Sequence, residues 1–209
     1  PSAVDEQMSS VFNPWSAHAP IQSEVPMLRG ANFLRTSLVP SLLSVRRTNE
    51  NFGVDSIELF ELASIYLSTP EEAAEKWHTE QKLIGLCSGK GFFAVKGTLE
   101  SLLVTLGIQA PLQMSDFPNA FFRPGHCAQL QLSDRHLGYL GEISESTRKT
   151  FGLRYPAFVA ELSFPLLLAE AELIPSARLL SPYPTVGRDF NFEVEEKVRW
   201  FDFAATVER

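Results

Sequence analysis

Cysteine is scarce here: Cys87 and Cys127 are the only two in 209 residues, too few for a disulfide framework. No apolar run approaches the length of about 18 residues that spans a membrane, and nothing resembles a secretory signal. Positive charge is also short, with 18 Lys and Arg against 25 Asp and Glu, a net charge of -7 and a pI near 5.2. That balance excludes a broad basic surface tracking a nucleic-acid backbone. Phosphate loops are missing: neither the Walker pattern nor Gly-x-Gly-x-x-Gly occurs. Gly89-Lys90-Gly91 reads as a turn before an aromatic pair, and Gly138 with Gly141 sits inside an apparent strand. The expectation is a soluble, cytoplasmic chain with no metal or cofactor of its own.

What is present suits one globular unit, since 44% hydrophobic and 11% aromatic content can bury a core. Residues 1–33 carry Pro1, Pro14, Pro20 and Pro26 without sustained periodicity and read as an extended arm or linker. The segment from Leu34 to Leu43 opens a helix, with Thr36 or Ser37 as N-cap and Pro40 in the first turn, where a missing N–H costs little. Leu38, Leu42 and Val45, flanked by Val39 and Leu43, form its apolar stripe, and Arg46, Arg47 and Glu50 follow toward Gly53.

Strands are expected over Ser56–Tyr66 and Lys82–Cys87, with a turn or two of helix after the capping-box spacing Thr69-Pro70-Glu71-Glu72. Helical spacing of Val95, Leu99, Leu102, Leu103 and Leu106 predicts a helix over Lys96–Leu106, stopped by Gly107. Ala128, Leu130 and Leu132 alternate with Gln129 and Gln131 into a polar turn at Ser133–Arg135, and Leu137 to Ile143 returns as the second hairpin strand. A short helix over Ser144–Phe151, a strand over Ala157–Leu162 and a helix over Pro165–Ala171 complete the 34–181 core. The fold class is α+β, an antiparallel or mixed sheet flanked by helices. Pro182-Tyr183-Pro184 marks a boundary, and Phe190, Phe192 and Val194 then alternate with Asn191 and Glu193 as if opening another strand.

Several clusters invite a chemical reading. Arg123-Pro124-Gly125-His126-Cys127 sets an imidazole beside a thiol, the pairing that activates a cysteine nucleophile. Neighbours on a strand point to opposite faces, however, so a turn entering the hairpin is the favoured reading. His136 could join them on a metal, but four spaced ligands are missing. Glu71 with Glu72 and Glu195 with Glu196 read as solvated faces, and Trp77, Phe92 and Phe93 as core residues instead of a base-stacking platform.

Six ordered segments carry a further likeness. They are Leu34 to Leu43 with its embedded Pro40; Glu58-Leu59-Phe60-Glu61-Leu62; Phe92-Phe93-Ala94-Val95-Lys96-Gly97; Arg123-Pro124-Gly125-His126-Cys127-Ala128 with Leu137-Gly138-Tyr139-Leu140-Gly141-Glu142-Ile143; and Tyr183 to Phe190, with Arg188 and Asp189. In this order the chain resembles the phenylalanyl-tRNA synthetase beta subunit, in its catalytic-like core toward the C-terminal part of that subunit. Arg123 and His126 stand where the family has His and Arg.

The resemblance implies a class II synthetase-like antiparallel sheet, followed from about residue 182 by the start of a ferredoxin-like, anticodon-binding-type domain. It implies an α2β2 enzyme whose alpha subunit uses ATP and Mg2+ to attach phenylalanine to tRNA(Phe). Leu34, Arg35, Leu38, Pro40, Leu42, Leu43 and Val45 would meet the alpha subunit. Phe60, Glu61, Lys96, Gly97, Arg123, Pro124, Gly125, Ala128, Gly138, Gly141, Glu142, Arg188 and Asp189 would be structural motif positions. No catalytic or cofactor-binding residue is expected. Class II chemistry clamps the α-phosphate with an Arg and stacks a second Arg on adenine, and the matching segments here lack that set, so bound ATP would keep uncompensated charge. The alternatives are a free-standing class II synthetase-like enzyme activating an amino acid with ATP, and a thiol hydrolase built on Cys127 and His126.

Overall fold

The computed structural model describes residues 3–25, 30–68, 79–174, 183–184, 186–198 and 200–207. The expected helical turns after Thr69, together with Trp77 and the start of the Pro182 cluster, lie outside the described residues. The chain forms two compact units, Pro1–Pro175 and Ser176–Arg209.

The first unit is built on a six-stranded antiparallel sheet. In chain order its elements are β1 (Ala3–Val4), α1 (Glu6–Ser10), β2 (Phe33–Leu34), α2 (Val39–Asn51), β3 (Glu58–Leu67), β4 (Thr79–Ser88), α3 (Phe92–Thr105), β5 (Leu112–Asp116), β6 (Phe122–Leu132), β7 (Arg135–Ile143), α4 (Glu145–Thr150), β8 (Phe158–Ser163) and α5 (Phe164–Glu170). The strand order is β3-β4-β8-β7-β6-β5, with β1 and β2 paired separately. Alternation along β4 and β8 divides the core in two. Leu83, Cys87 and Val159 join Leu38, Leu42, Leu43 and Phe122 on the α2 face. Leu162 and Ala160 join Val95, Leu99, Leu103, Leu130 and Leu167 on the face covered by α3 and α5.

The β6–β7 hairpin turns at Ser133 and Asp134, both with positive φ, as a tight right-twisting turn requires. Helix α3 starts at Phe92, four residues before the expected Lys96, because Gly91 at φ +107 turns the chain straight out of β4 into the helix. It ends as expected near Gly107, where Ile108 N–H reaches back to the Leu103 carbonyl.

The extended arm expected over residues 1–33 is corrected. Asp5 caps α1 by accepting from Met8 N–H at 2.7 Å, and β1 pairs with β2. Phe12 is buried and stacks on Phe121 at 4.3 Å. A five-residue helix leaves no periodicity to read, and burial of Phe12 supplies what local propensity does not.

In the second unit α6 (Trp200–Val207) is a helix, and residues 186–195 form no strand. The alternation of Phe190, Phe192 and Val194 finds no partner strand among the described residues, and an unpaired strand leaves its backbone groups unbonded.

Candidate functional site

The proline-bearing helix does not present its stripe outward. Leu38, Leu42 and Leu43 are 0%, 3% and 0% exposed and pack on this chain's own sheet, while Pro40 and Arg35 are buried and Leu34 is half-buried. Of the expected interface set only Val45 is open, at 47%. The expected subunit contact through those leucines is therefore corrected: they are spent on the core. Gly85 explains how close the helix comes, since a Cβ there would stand 2.9 Å from Leu42.

Neither Thr36 nor Ser37 is the N-cap residue, which is Leu38 without a side-chain cap of its own. The cap comes from Glu161 on β8, a residue the sequence reading passed over. Its Oε1 accepts from Ser37 Oγ at 2.8 Å, from Val39 N–H at 3.2 Å and from Leu38 N–H, while Oε2 accepts from Trp15 Nε1 at 2.7 Å. An anion at a helix N-terminus satisfies orphan donors and the helix dipole together. Burial pushes the Glu161 carboxyl up, opposed by the bonds from Trp15, Ser37, Leu38 and Val39. The available signal was a single acid inside the apolar run Phe158-Val159-Ala160-Glu161-Leu162.

Arg123 and His126 lie in an irregular stretch of β6 between Phe122 and Cys127, where the pairing with β7 shifts register and Gly125 takes φ +74. Both reach one carboxylate: Arg123 Nη1 stands 3.3 Å from each Glu142 oxygen, and His126 Nδ1 3.0 Å from Oε2. The exchange of Arg and His relative to the family pattern thus leaves both side chains on Glu142. A cleft of 560 Å³ opens beside them, large enough for a nucleotide. Arg46, Lys90 and Arg123 line it together with Asp55, Glu58 and Glu142, so its cations are matched by as many carboxylates. Arg46 is further committed to the buried Glu50, at 2.9 Å, and to the Pro156 carbonyl. Glu50 in turn accepts from Arg154 N–H at 2.7 Å. A triphosphate would add several negative charges to a cleft without net positive charge.

Two of the remaining motif positions are close backbone approaches. A Cβ on Gly138 would run into the Glu161 carbonyl, and one on Gly141 into Phe122 and Cys127. Ala128 is buried, and Pro124 lies in the irregular stretch of β6 between Phe122 and Cys127. Lys96 pairs with Glu100 one turn on, and Gly97 stands in open space. Phe60 is 78% exposed, and Glu61 holds Arg35 at 2.8 Å. Arg188 and Asp189 are exposed in the second unit.

The thiol–imidazole pair does not form. Cys127 donates to the Phe117 carbonyl, while His126 turns to Glu142. Burial pushes the Cys127 thiol up, and pushes Cys87 up to about 11. His136 lies among Trp15 and Tyr139 with Gln129 Nε2 on its Nδ1 at 3.1 Å, and burial lowers its pKa. No cluster able to hold a metal ion occurs among the described residues. A larger cleft of 880 Å³ beside Phe117, Pro118 and Cys127 has Asp116 as its one charged lining residue.

Iodoacetamide at neutral pH is expected to label both cysteines slowly, Cys87 only on unfolding. Because the folded Cys87 thiol holds its proton above the unfolded value near 9.0, stability is expected to fall as pH rises from there toward 11. Rapid labelling of native Cys127 would restore the nucleophile reading.

The six-stranded antiparallel sheet with helices on both faces is a fold found in aminoacyl-tRNA synthetase structures. Two solved pyrrolysyl-tRNA synthetase structures from Desulfitobacterium hafniense share it. One has a TM-score of 0.53 at 18% identity, covering 71% of this chain and 52% of the other. The second scores 0.51 at 20% identity, covering 66% and 49%. By sequence the chain belongs to the family described as the phenylalanyl tRNA synthetase beta chain CLM domain, which matches residues 3–164.

Curated relatives agree. The Rhodopirellula baltica phenylalanine–tRNA ligase beta subunit is 33% identical over 216 residues, covering all of this chain and 32% of the relative. The Carboxydothermus hydrogenoformans beta subunit is also 33% identical, covering 83% of this chain and 23% of the relative. The Dehalococcoides mccartyi subunit is 30% identical, with 88% and 25% covered. The chain thus spans a third or less of the beta subunits it matches. No described helix is long and apolar enough to cross a membrane.

Proposed function

We propose that this chain is a non-catalytic structural and assembly module of the beta subunit of phenylalanine–tRNA ligase, the class II-like core ahead of an anticodon-binding-type domain. It works in a cytoplasmic α2β2 enzyme that attaches phenylalanine to tRNA(Phe), where ATP and Mg2+ serve the alpha subunit. The observation that carries this reading is the neutralised cleft: Arg123 is paired with Glu142 and Arg46 with Glu50, so neither cation is free of a carboxylate.

The alpha-subunit contact belongs on β3, the edge strand of the sheet. Among the described residues its ladder partner, β4, lies on one side only, so its other edge offers N–H and C=O groups. Tyr66 N–H and Ser64 C=O both bond Arg35, away from β4, and by antiparallel alternation the same outward side carries the backbone groups of Glu58, Phe60 and Leu62. Phe60 and Leu62 are 78% and 51% exposed. A groove of 200 Å³ runs between Phe60 and Val95 and Thr98 of α3. A strand from the alpha subunit, added antiparallel here, would gain ladder bonds and bury both side chains.

Capture of the alpha subunit by the tagged chain tests this. Phe60→Lys with Leu62→Lys is expected to abolish capture while changing unfolding free energy by no more than about 1 kcal/mol. Undiminished capture would remove β3 from the interface.

A further inference from the structure

The same edge that is open at Glu58–Leu62 is closed at its other end, and the closing group is wired to the N-terminal segment. Arg35 occupies the outer side of β3 three ways. Its carbonyl accepts from Tyr66 N–H at 2.9 Å, its Nε donates to the Ser64 carbonyl at 2.8 Å, and its Nη1 pairs with Glu61 at 2.8 Å. Held there, the guanidinium is buried and caps the outward backbone groups that an added strand would need.

The next two residues tie that guard to residues 9–15. Thr36 Oγ1 donates to the Ser9 carbonyl at 3.0 Å. Ser37 Oγ donates to Glu161 Oε1, and the other oxygen of that carboxylate receives Trp15 Nε1. Tyr139 fixes the same stretch by donating to the Pro14 carbonyl at 2.9 Å. Arg35, Thr36 and Ser37 are consecutive and all buried, so none can shift without disturbing the bonds of the others.

We propose that docking of residues 9–15 holds Arg35 against β3, so that this N-terminal segment sets the length of strand edge open to a partner. With the segment docked, the opening runs over Glu58, Phe60 and Leu62. With it released, Arg35 loses its anchor and the opening extends through Ser64 toward Tyr66. The functional meaning rests on β3 being the partner surface, but the coupling itself is a property of this chain alone. It makes assembly responsive to whatever pulls on residues 9–15, at a distance from the contact.

Amide hydrogen exchange on the full 209-residue chain, without partner, reads the coupling. Trp15→Phe removes the donor to Glu161 while keeping an aromatic ring among His136 and Tyr139, and Thr36→Val removes the bond to Ser9 while keeping the shape. Each is expected to speed exchange of the Tyr66 amide at least tenfold more than that of the inner β4–β8 ladder amides. Tyr66 exchange unchanged in both variants would overturn the proposal, as would acceleration spread equally over β4 and β8, which signals global loosening. Failure of the lysine variants to lose the alpha subunit would refute the partner surface and leave this readout unaffected.

Discussion

Glu161→Ala is expected to lower the unfolding free energy of the first unit by about 3–5 kcal/mol. The carboxylate is buried with four donors on it, from Trp15, Ser37, Leu38 and Val39. Removing it does not orphan them equally. Val39 N–H keeps Ser37 Oγ at 3.1 Å, and the Ser37 hydroxyl can rotate. Leu38 N–H and Trp15 Nε1 have no replacement in the dry layer between β8 and α2, and each unsatisfied buried donor costs about 1–3 kcal/mol. Glu161→Gln separates the two halves of the network. Its amide oxygen can still cap α2, but its NH2 then opposes the Trp15 N–H, so the loss should shrink to about 1–3 kcal/mol. Urea unfolding of the three proteins, followed by tryptophan fluorescence, measures both values. Equal losses for Ala and Gln would mean that the charge, and not the cap, carries the effect.

Leu43→Asp is expected to prevent folding at 25 °C, a loss of more than about 4 kcal/mol. Leu43 is fully buried in the apolar cluster that holds Leu38, Leu83 and Val159, where a carboxylate would be stripped of water. Val45→Asp on the same helix is 47% exposed and should be tolerated within about 1 kcal/mol. The contrast distinguishes a helix packed on its own sheet from one held for a partner. If Leu43→Asp left a folded chain that lost only the alpha subunit, the leucine stripe would be an interface after all. Circular dichroism and thermal unfolding decide between them.

The same stripe shows what a sequence can and cannot convey. Spacing of Leu38, Leu42 and Leu43 says that a helix buries a face, and α2 does; periodicity does not say against what. Alternation placed the β6–β7 hairpin and its polar turn, because one face of each strand is dry and the other wetter. Gly107 announced the end of α3 through the positive φ it adopts. The Glu161 cap was illegible because its donors lie 122 to 146 residues away in sequence. Likewise, Arg123 reads as a spare cation until β7 brings Glu142 beside it. The order of the family segments was readable where their contacts were not, since motif residues fix turns and close approaches, as at Gly138 and Gly141, as often as they touch a partner.

ATP–pyrophosphate exchange with phenylalanine, measured for this chain alone and for the chain with the alpha subunit, tests the central claim most directly. The matched charges of the cleft beside Arg123 predict no exchange by the chain alone, and in the pair an exchange that survives Arg123→Ala. Exchange by the isolated chain, abolished by Arg123→Ala, would contradict the account and make this an enzyme in its own right.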